Sequence, residues 1–225
     1  MKKKRQGAFL VLEGIDGSGK ETQTRMLARF LRRKGKKVIS LAFPRYGTRA
    51  AYFVEQYLRG KYGGVGEQNP AAVALCYAMD RFDSTSLIER KRSEGYVVLA
   101  DRYTASNFGH QAAQIRGKRQ RQAFLRWVRT MEYEVLGIAR PDCTIILEIP
   151  PAIALRLLRG RKKKGVQGDI HERDARHLAK AHAAYLEAAR LFPREIKVVH
   201  CAPRGVLLSP QEIQRQVYAL ARPFL

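Results

Sequence analysis

The sequence predicts an α/β fold: a five-stranded parallel sheet flanked by helices, in a single domain spanning residues 1–225. Three observations predict it. Aliphatic runs of strand length recur along the chain, separated by segments of helical periodicity, the pattern of successive βαβ units. The runs are almost continuously apolar, so both faces of the sheet are covered. A glycine-rich turn ending in lysine joins the first run to the first helical segment, the context in which a helix N-terminus holds phosphate.

The elements follow in order. "AFLVLE" (8–13) is the first strand, and the helix after it carries Met26, Leu27, Phe30 and Leu31 on one face. "KVISLAF" (37–43) is the second strand, followed by a polar turn and a long helical stretch from Pro70 to Arg92. "YVVLAD" (96–101) precedes a helix over 118–138, and "CTIILEI" (143–149) precedes helices over 152–159 and 172–191. "IKVVHCA" (196–202) is the fifth strand, and an amphipathic helix with Ile213, Val217 and Leu220 closes the chain. "RGRKKKGVQGD" (159–169), highly charged and without apolar periodicity, is expected to be a mobile surface loop.

At 225 residues the chain is long enough for one sizeable core. No apolar run approaches the roughly 20 residues of a membrane span. The apolar stretch Ala8–Leu12, stopped by Glu13, is too short for a secretion signal. Cys76, Cys143 and Cys201 are odd in number and far apart, which fits neither a disulfide framework nor a zinc site and leads us to expect a reducing, cytoplasmic setting. The net charge of +23 is the outlier. "KKKR" (2–5) and "RRKGKK" (32–37) read as solvated basic surface, with "RGKRQRQ" (116–122) and "RGRKKK" (159–164) as further basic runs. Such charge also suits polyanions, nucleic acid included, although a nucleic-acid contact is not the favoured reading.

"LEGIDGSGKETQ" (12–23) nearly spells a phosphate-binding loop, which needs glycine, four residues, glycine, lysine, then serine or threonine. Gly14, Gly19 and Lys20 are in place, with Gly17 and Ser18 between them, but Glu21 fills the hydroxyl slot and Thr22 comes one residue late. Backbone N–H groups of such a loop curl around phosphate oxygens. Lys20, expected as an exposed loop side chain, would neutralise the outer phosphates. "VVLADRY" (97–103) ends a strand in Asp101, where an acid assists magnesium, and aims Arg102 at the same mouth.

Together with several further segments, these motifs resemble thymidylate kinase, the ATP-dependent enzyme family that phosphorylates dTMP to dTDP. "FPRYG" (43–47), "YAMDR" (77–81), "DRYTASNFGHQ" (101–111), "RPDCTIILEIPP" (140–151) and "GDIHERD" (168–174) carry the resemblance at ordered spacing over nearly the whole chain. It implies a P-loop kinase fold with a mobile lid over about 159–171, ATP and dTMP as substrates, Mg2+, and a homodimer joined through the helices at 70–92 and 118–138. ATP would lie on Gly14, Gly17, Ser18, Gly19, Lys20, Glu21 and Thr22. Catalytic charge would come from Lys20, Arg102, Asp16 and the lid arginines Arg159 and Arg161. The monophosphate would meet Asp16, Phe43, Arg45, Tyr46, Tyr77, Arg81, Arg102, Ser106, Asn107, His110 and Gln111. Tyr77 would stack on the base, with Arg81 and Asn107 on its polar edge. Asp16, Asp101 and Glu172 would supply oxygen to magnesium; Glu21 either reaches the ion through water or only starts the helix, the reading we prefer.

The chain departs from the family pattern at His110, where an aromatic residue that packs on the sugar is usual, at Glu148 for Asp, and at Leu157 for Arg. His171, His177, His182 and His200 show no metal spacing and read as ordinary residues. Two alternatives stay open on sequence alone: a kinase for another pyrimidine nucleotide or a deoxynucleoside, and a catalytically weak basic P-loop module that binds nucleic acid. Lys20, Arg102 and the lid arginines argue against the second.

Overall fold

The structure is a computed structural model that describes residues 6–64, 66–162 and 175–225, without the side chains of residues 161 and 162. Five strands, β1 (Phe9–Glu13), β2 (Val38–Ala42), β3 (Val97–Asp101), β4 (Cys143–Glu148) and β5 (Ile196–His200), form one sheet in the order β2-β3-β1-β4-β5. All neighbours pair parallel. β1 lies at the centre and every one of its residues is buried, which explains its unbroken apolar run.

Seven α-helices accompany them among the described residues: α1 (Lys20–Arg33), α2 (Tyr52–Leu58), α3 (Pro70–Ser93), α4 (Lys118–Thr130), α5 (Pro151–Lys162), α6 (Ala175–Leu191) and α7 (Pro210–Ala221). α1 and α7 pack on one face of the sheet through Leu27, Leu31, Ile213 and Val217. On α1 the buried stripe runs through Thr24, Leu27, Ala28 and Leu31, leaving Met26 and Phe30 half-buried at its edge. Opposite the β1–β4 half of the sheet, α4, α5 and α6 share a core built on Leu125, Ala154, Ala181 and Tyr185. α7 starts on a capping box, Ser209 with Glu212.

Three expectations change. The stretch read as a polar turn before Pro70 holds α2, whose Val54, Tyr57 and Leu58 bury against Val73 of α3. The helix expected over 118–138 ends at Thr130 and continues only as a π-helical turn, Met131–Val135. Residues 159–162 belong to α5 instead of a loop, and the remainder of the expected lid, with the start of the helix expected at 172, lies outside the described residues.

Candidate active site

The carboxyl ends of the strands carry the chemistry, as parallel sheets require. Glu13, Asp101 and Glu148 close β1, β3 and β4. Between β1 and α1 the chain turns on Gly14 (φ 136°), Gly17 (φ 83°) and Gly19 (φ 88°). A Cβ at Gly14 would come within 2.6 Å of the Leu147 carbonyl oxygen, and one at Gly17 within 2.7 Å of that of Ala154. The loop is therefore clamped against β4 and α5, and glycine is required at both places. Gly19 caps α1 without any side-chain hydrogen bond, which leaves the first N–H groups of the helix open to an anion.

Lys20 is buried, not exposed as expected: its Nζ donates to the carbonyls of Gly14 (2.9 Å) and Ile15 (3.0 Å) and lies 3.9 Å from Asp16. Burial, with the Arg102 charge nearby, lowers the Lys20 ammonium to about 8. Arg102 holds a positive φ of 68°, a conformation of the kind stored at functional sites. Its guanidinium bonds Asp16, and its Nη1 lies 3.4 Å from His110 Nε2. Burial opposes the Arg102 charge, but Asp16 and the neighbouring acids hold it well above the ordinary value. Asp16 thus links Lys20 of the phosphate loop to Arg102 of the neighbouring pocket.

That pocket is lined by Asp16, Phe43, Tyr46, Tyr77, Arg81, Arg102, Ser106, Asn107, His110 and Gln111, together with Pro44, Leu58 and Tyr103. The fold therefore brings together every residue expected on the monophosphate except Arg45. Arg45 turns to α3 instead, its Nε donating to Asp80 (2.8 Å) and its Nη2 to Asp83 (2.6 Å). Tyr77 packs edge-on to Tyr57. Phe43 and Tyr103 meet edge to face at 5.2 Å. Asn107 donates from Nδ2 to Ala74 O and to Glu132, while its shielded Oδ1 has no hydrogen-bond partner among the described residues.

Two carboxylates that sequence reasoning does not single out hold the pocket floor. Glu13 accepts from the Tyr103 N–H (2.6 Å), Ser106 Oγ (3.0 Å) and Tyr185 Oη (2.9 Å). Burial pushes its carboxyl up, against the opposing pull of Arg102 and the Tyr103 N–H. Glu132, on the π-helical turn after α4, accepts from Arg81, Thr104 Oγ1 (2.7 Å) and Asn107. Two histidines that read as ordinary in sequence also find a shared partner, since His182 Nε2 (2.7 Å) and His200 Nδ1 (3.0 Å) meet the two oxygens of Glu148.

Around the phosphate loop, Glu21 is exposed in the first turn of α1, Thr22 is half-buried and Ser18 is buried. Glu21, Thr24 and Asp101 line one further cavity beside the loop. Arg159 is exposed near the end of α5; the side chain of Arg161 and all of Glu172 lie outside the described residues. Among the described residues no group of three His, Cys, Asp or Glu side chains is placed to hold a metal by itself. No described helix is long and apolar enough to cross a membrane.

Known proteins resemble this chain in sequence and fold. The chain is 35% identical over 185 residues to the thymidylate kinase of Mycobacterium tuberculosis, covering 80% of this chain and 85% of that one. It is 30% identical over 218 residues to a probable thymidylate kinase of Thermococcus gammatolerans, covering 95% of each. Its fold superposes on the thymidylate kinase structure from Candida albicans with a TM-score of 0.73 at 22% identity, over 97% of this chain and 92% of that one. A family model for thymidylate kinase matches residues 12–212, and with a clamped phosphate loop opening beside a polar pocket, the chain belongs to the thymidylate kinase family.

Proposed function

We propose that the protein transfers the γ-phosphoryl group of ATP to the 5′-phosphate of dTMP, giving dTDP and ADP. The observation that carries this reading is the Asp16 bridge between Lys20 and Arg102, which sets a phosphate loop and a base-sized pocket side by side. ATP lies with its phosphates on the Gly14–Lys20 backbone and the open start of α1, within reach of Ser18, Glu21 and Thr22. In the pocket, the Tyr77 ring offers a flat face to the pyrimidine. The unpartnered Asn107 Oδ1 is an acceptor suited to the base N3–H, and Arg81, anchored by Glu132, lies beside it.

Phosphoryl transfer asks for positioning and charge neutralisation more than covalent help. An oxygen of the acceptor phosphate attacks the γ-phosphorus as the bond to the β-phosphate breaks. Arg102 holds the acceptor, Lys20 the donor phosphates, and Arg159, with Arg161 as its expected companion, the charge between them. Magnesium fits the donors present. Among the described residues Ser18 Oγ and Asp101 Oδ1 are buried without a hydrogen-bond partner, and carboxylate and hydroxyl oxygens are what a hard cation takes. Asp101 and Asp16, with Glu172 from the segment not described, would hold the ion, which would neutralise charge on the bridging phosphates. Arg45 acts one step removed, fixing the Phe43–Tyr46 strip onto α3.

For assembly we favour a homodimer through α3, which exposes Leu75, Met79 and Phe82 one turn apart. Three unpaired cysteines suit a cytoplasmic setting. The test is ADP release with ATP and dTMP, dUMP, UMP or dCMP in turn. Turnover is expected with dTMP above the others; turnover with none of them overturns the reading.

A further inference from the structure

His110 and His177 stack with ring centroids 5.5 Å apart and an angle of 21° between planes, and His110 Nδ1 lies 3.2 Å from His177 Nε2. Both are buried, at 6% and 5% exposure. His110 sits on the π-helical turn Asn107–Gln111 and lines the acceptor pocket. His177 comes from the start of α6 and lines a different cavity, with Arg116, Arg121 and Lys180. At its other nitrogen, His110 faces the Arg102 guanidinium.

Counting protons decides the arrangement. A guanidinium has donors only, so the His110 Nε2 facing it must be a bare acceptor. His110 then carries its proton on Nδ1 and donates it to His177. His177 in turn must have a bare Nε2 and its proton on Nδ1. The three side chains form one directed chain, Arg102 to His110 to His177, which closes only while both rings are neutral. A proton added to His110 would set N–H against N–H at Arg102, and one on His177 Nε2 would oppose the His110 donor.

Charges of both signs surround the pair. On the pocket side stand Arg102 and Lys20, compensated by Asp16, with the Arg81–Glu132 pair on the α3 side of Asn107. From α6, Tyr185 meets the His110 ring edge-on at 5.9 Å, its hydroxyl engaged by Glu13. Beyond His177 come Arg116 and Lys180, and Arg121 paired with Glu187.

We propose that His177 is a positioning residue of the acceptor site: by accepting the His110 proton it fixes the His110 ring and, through it, the Arg102 guanidinium, so that protonation of the histidine pair weakens monophosphate binding. This rests on the pocket being the dTMP site. It goes beyond that reading by adding a residue outside the pocket and an acid sensitivity built into the chain.

Two measurements test it. Nitrogen-15 NMR of the wild-type histidine rings at pH 8 is expected to show both His110 and His177 as Nδ1–H tautomers; an Nε2–H tautomer at His110 overturns the proposal. The second measurement is KM for dTMP and for ATP from pH 8 to pH 6 in wild type, His177→Phe and His177→Gln. Phenylalanine keeps the ring but removes the acceptor, whereas the glutamine amide can still accept. His177→Phe is expected to raise KM for dTMP about tenfold at pH 8, the upper worth of one ordinary buried hydrogen bond. KM for ATP should not move, and His177→Gln should return KM for dTMP toward wild type. The dTMP phosphate itself titrates near about pH 6, so the difference between the profiles is the quantity read. Wild-type KM for dTMP in a folded His177→Phe also overturns the proposal, and if that variant does not fold, the tautomers decide. Absence of dTMP turnover in all three proteins would remove the kinase reading while leaving the tautomer result standing on its own.

Discussion

Arg81 and Glu132 form a two-pronged ion pair, Nε to Oε2 at 2.7 Å and Nη2 to Oε1 at 2.6 Å, with both side chains sealed from solvent. Two of the Arg81 nitrogens are thus engaged before any base arrives, and its first role is to hold the pocket floor. Removing one partner of a buried pair strands the other charge. Arg81→Ala and Glu132→Ala are therefore each expected to lose about 3–5 kcal/mol of stability, read by urea unfolding. Replacing both by leucine should recover much of that loss. A single variant within about 1 kcal/mol of wild type, no more than an exposed pair is worth, would show that the pair is not structural. Loss of dTMP binding in Arg81→Ala counts as a base contact only at temperatures where the variant is folded.

Lys20 carries an opposite balance of stability and activity. Its buried ammonium is lowered from the ordinary value of 10.5 to about 8, so the fold carries a penalty for the charge below pH 8. Between 8 and 10.5 the unfolded chain binds the extra proton, and stability gains as pH rises through that window. Lys20→Met should thus cost phosphoryl transfer at least about 10²–10³-fold in kcat without lowering the melting temperature at pH 7. Its stability advantage over wild type should shrink as pH climbs from 8 to 10.5. A melting point that falls at pH 7 would mean that the two carbonyl contacts outweigh the buried charge.

Sequence pattern and structure agree where local periodicity reports packing. The three central strands were legible because a sheet covered on both faces needs continuous apolar runs, and "FLVLE" is buried from end to end, whereas the edge strands β2 and β5 are only partly buried. α2 escaped because it is seven residues long and exposes Tyr52 and Phe53, leaving too little buried stripe to register as periodic. The floor carboxylates escaped for a different reason. Glu13 meets Tyr185 across 172 positions and Glu132 meets Arg81 across 51, so no spacing near either acid announces a partner. Glu132 reads as a surface acid on a helix, and only the π-helical turn redirects it inward. Lys20 was legible in identity but not in burial, because the loop folds its own carbonyls over the ammonium.

The Glu148 cluster gives an acid-stability prediction. Burial works against its charge, but the hydrogen bonds of His182 and His200 hold the carboxyl below the ordinary 4.5. A lowered carboxyl contributes stability above the unfolded value and loses it as pH falls through the folded one. Glu148→Gln should melt lower than wild type at pH 7 and show a shallower loss between pH 5 and the acid transition. Parallel acid profiles for the two proteins would remove this clamp between β4, α6 and β5 from the account.

Phe82, 50% exposed on α3 with Leu75 and Met79, tests the assembly. Phe82→Glu places a charge in the stripe and, since the side chain is exposed in one chain, leaves the fold of that chain intact. Sedimentation should show wild type as a dimer and the variant as a monomer. A dimer of unchanged strength in Phe82→Glu would move the interface away from α3.

The last prediction concerns the residue in the hydroxyl slot of the phosphate loop. Glu21 lies exposed in the first turn of α1, where a negative side chain suits the helix dipole whether or not a metal is near. Asp101, at the end of β3, instead has a buried oxygen with no hydrogen-bond partner among the described residues. Glu21→Ser should keep the magnesium dependence of wild type, or tighten it by restoring the hydroxyl. Asp101→Asn should shift half-saturation to higher magnesium, because it removes one negative charge from the proposed metal shell. Asp16→Asn is a poorer probe, since it also breaks the ion pair with Arg102. The measurement is initial rate against magnesium at fixed ATP and dTMP, with the magnesium-induced melting shift alongside. Should Glu21→Ser lose activity that excess magnesium restores while Asp101→Asn titrates like wild type, Glu21 is the ligand and the strand-end acid is not.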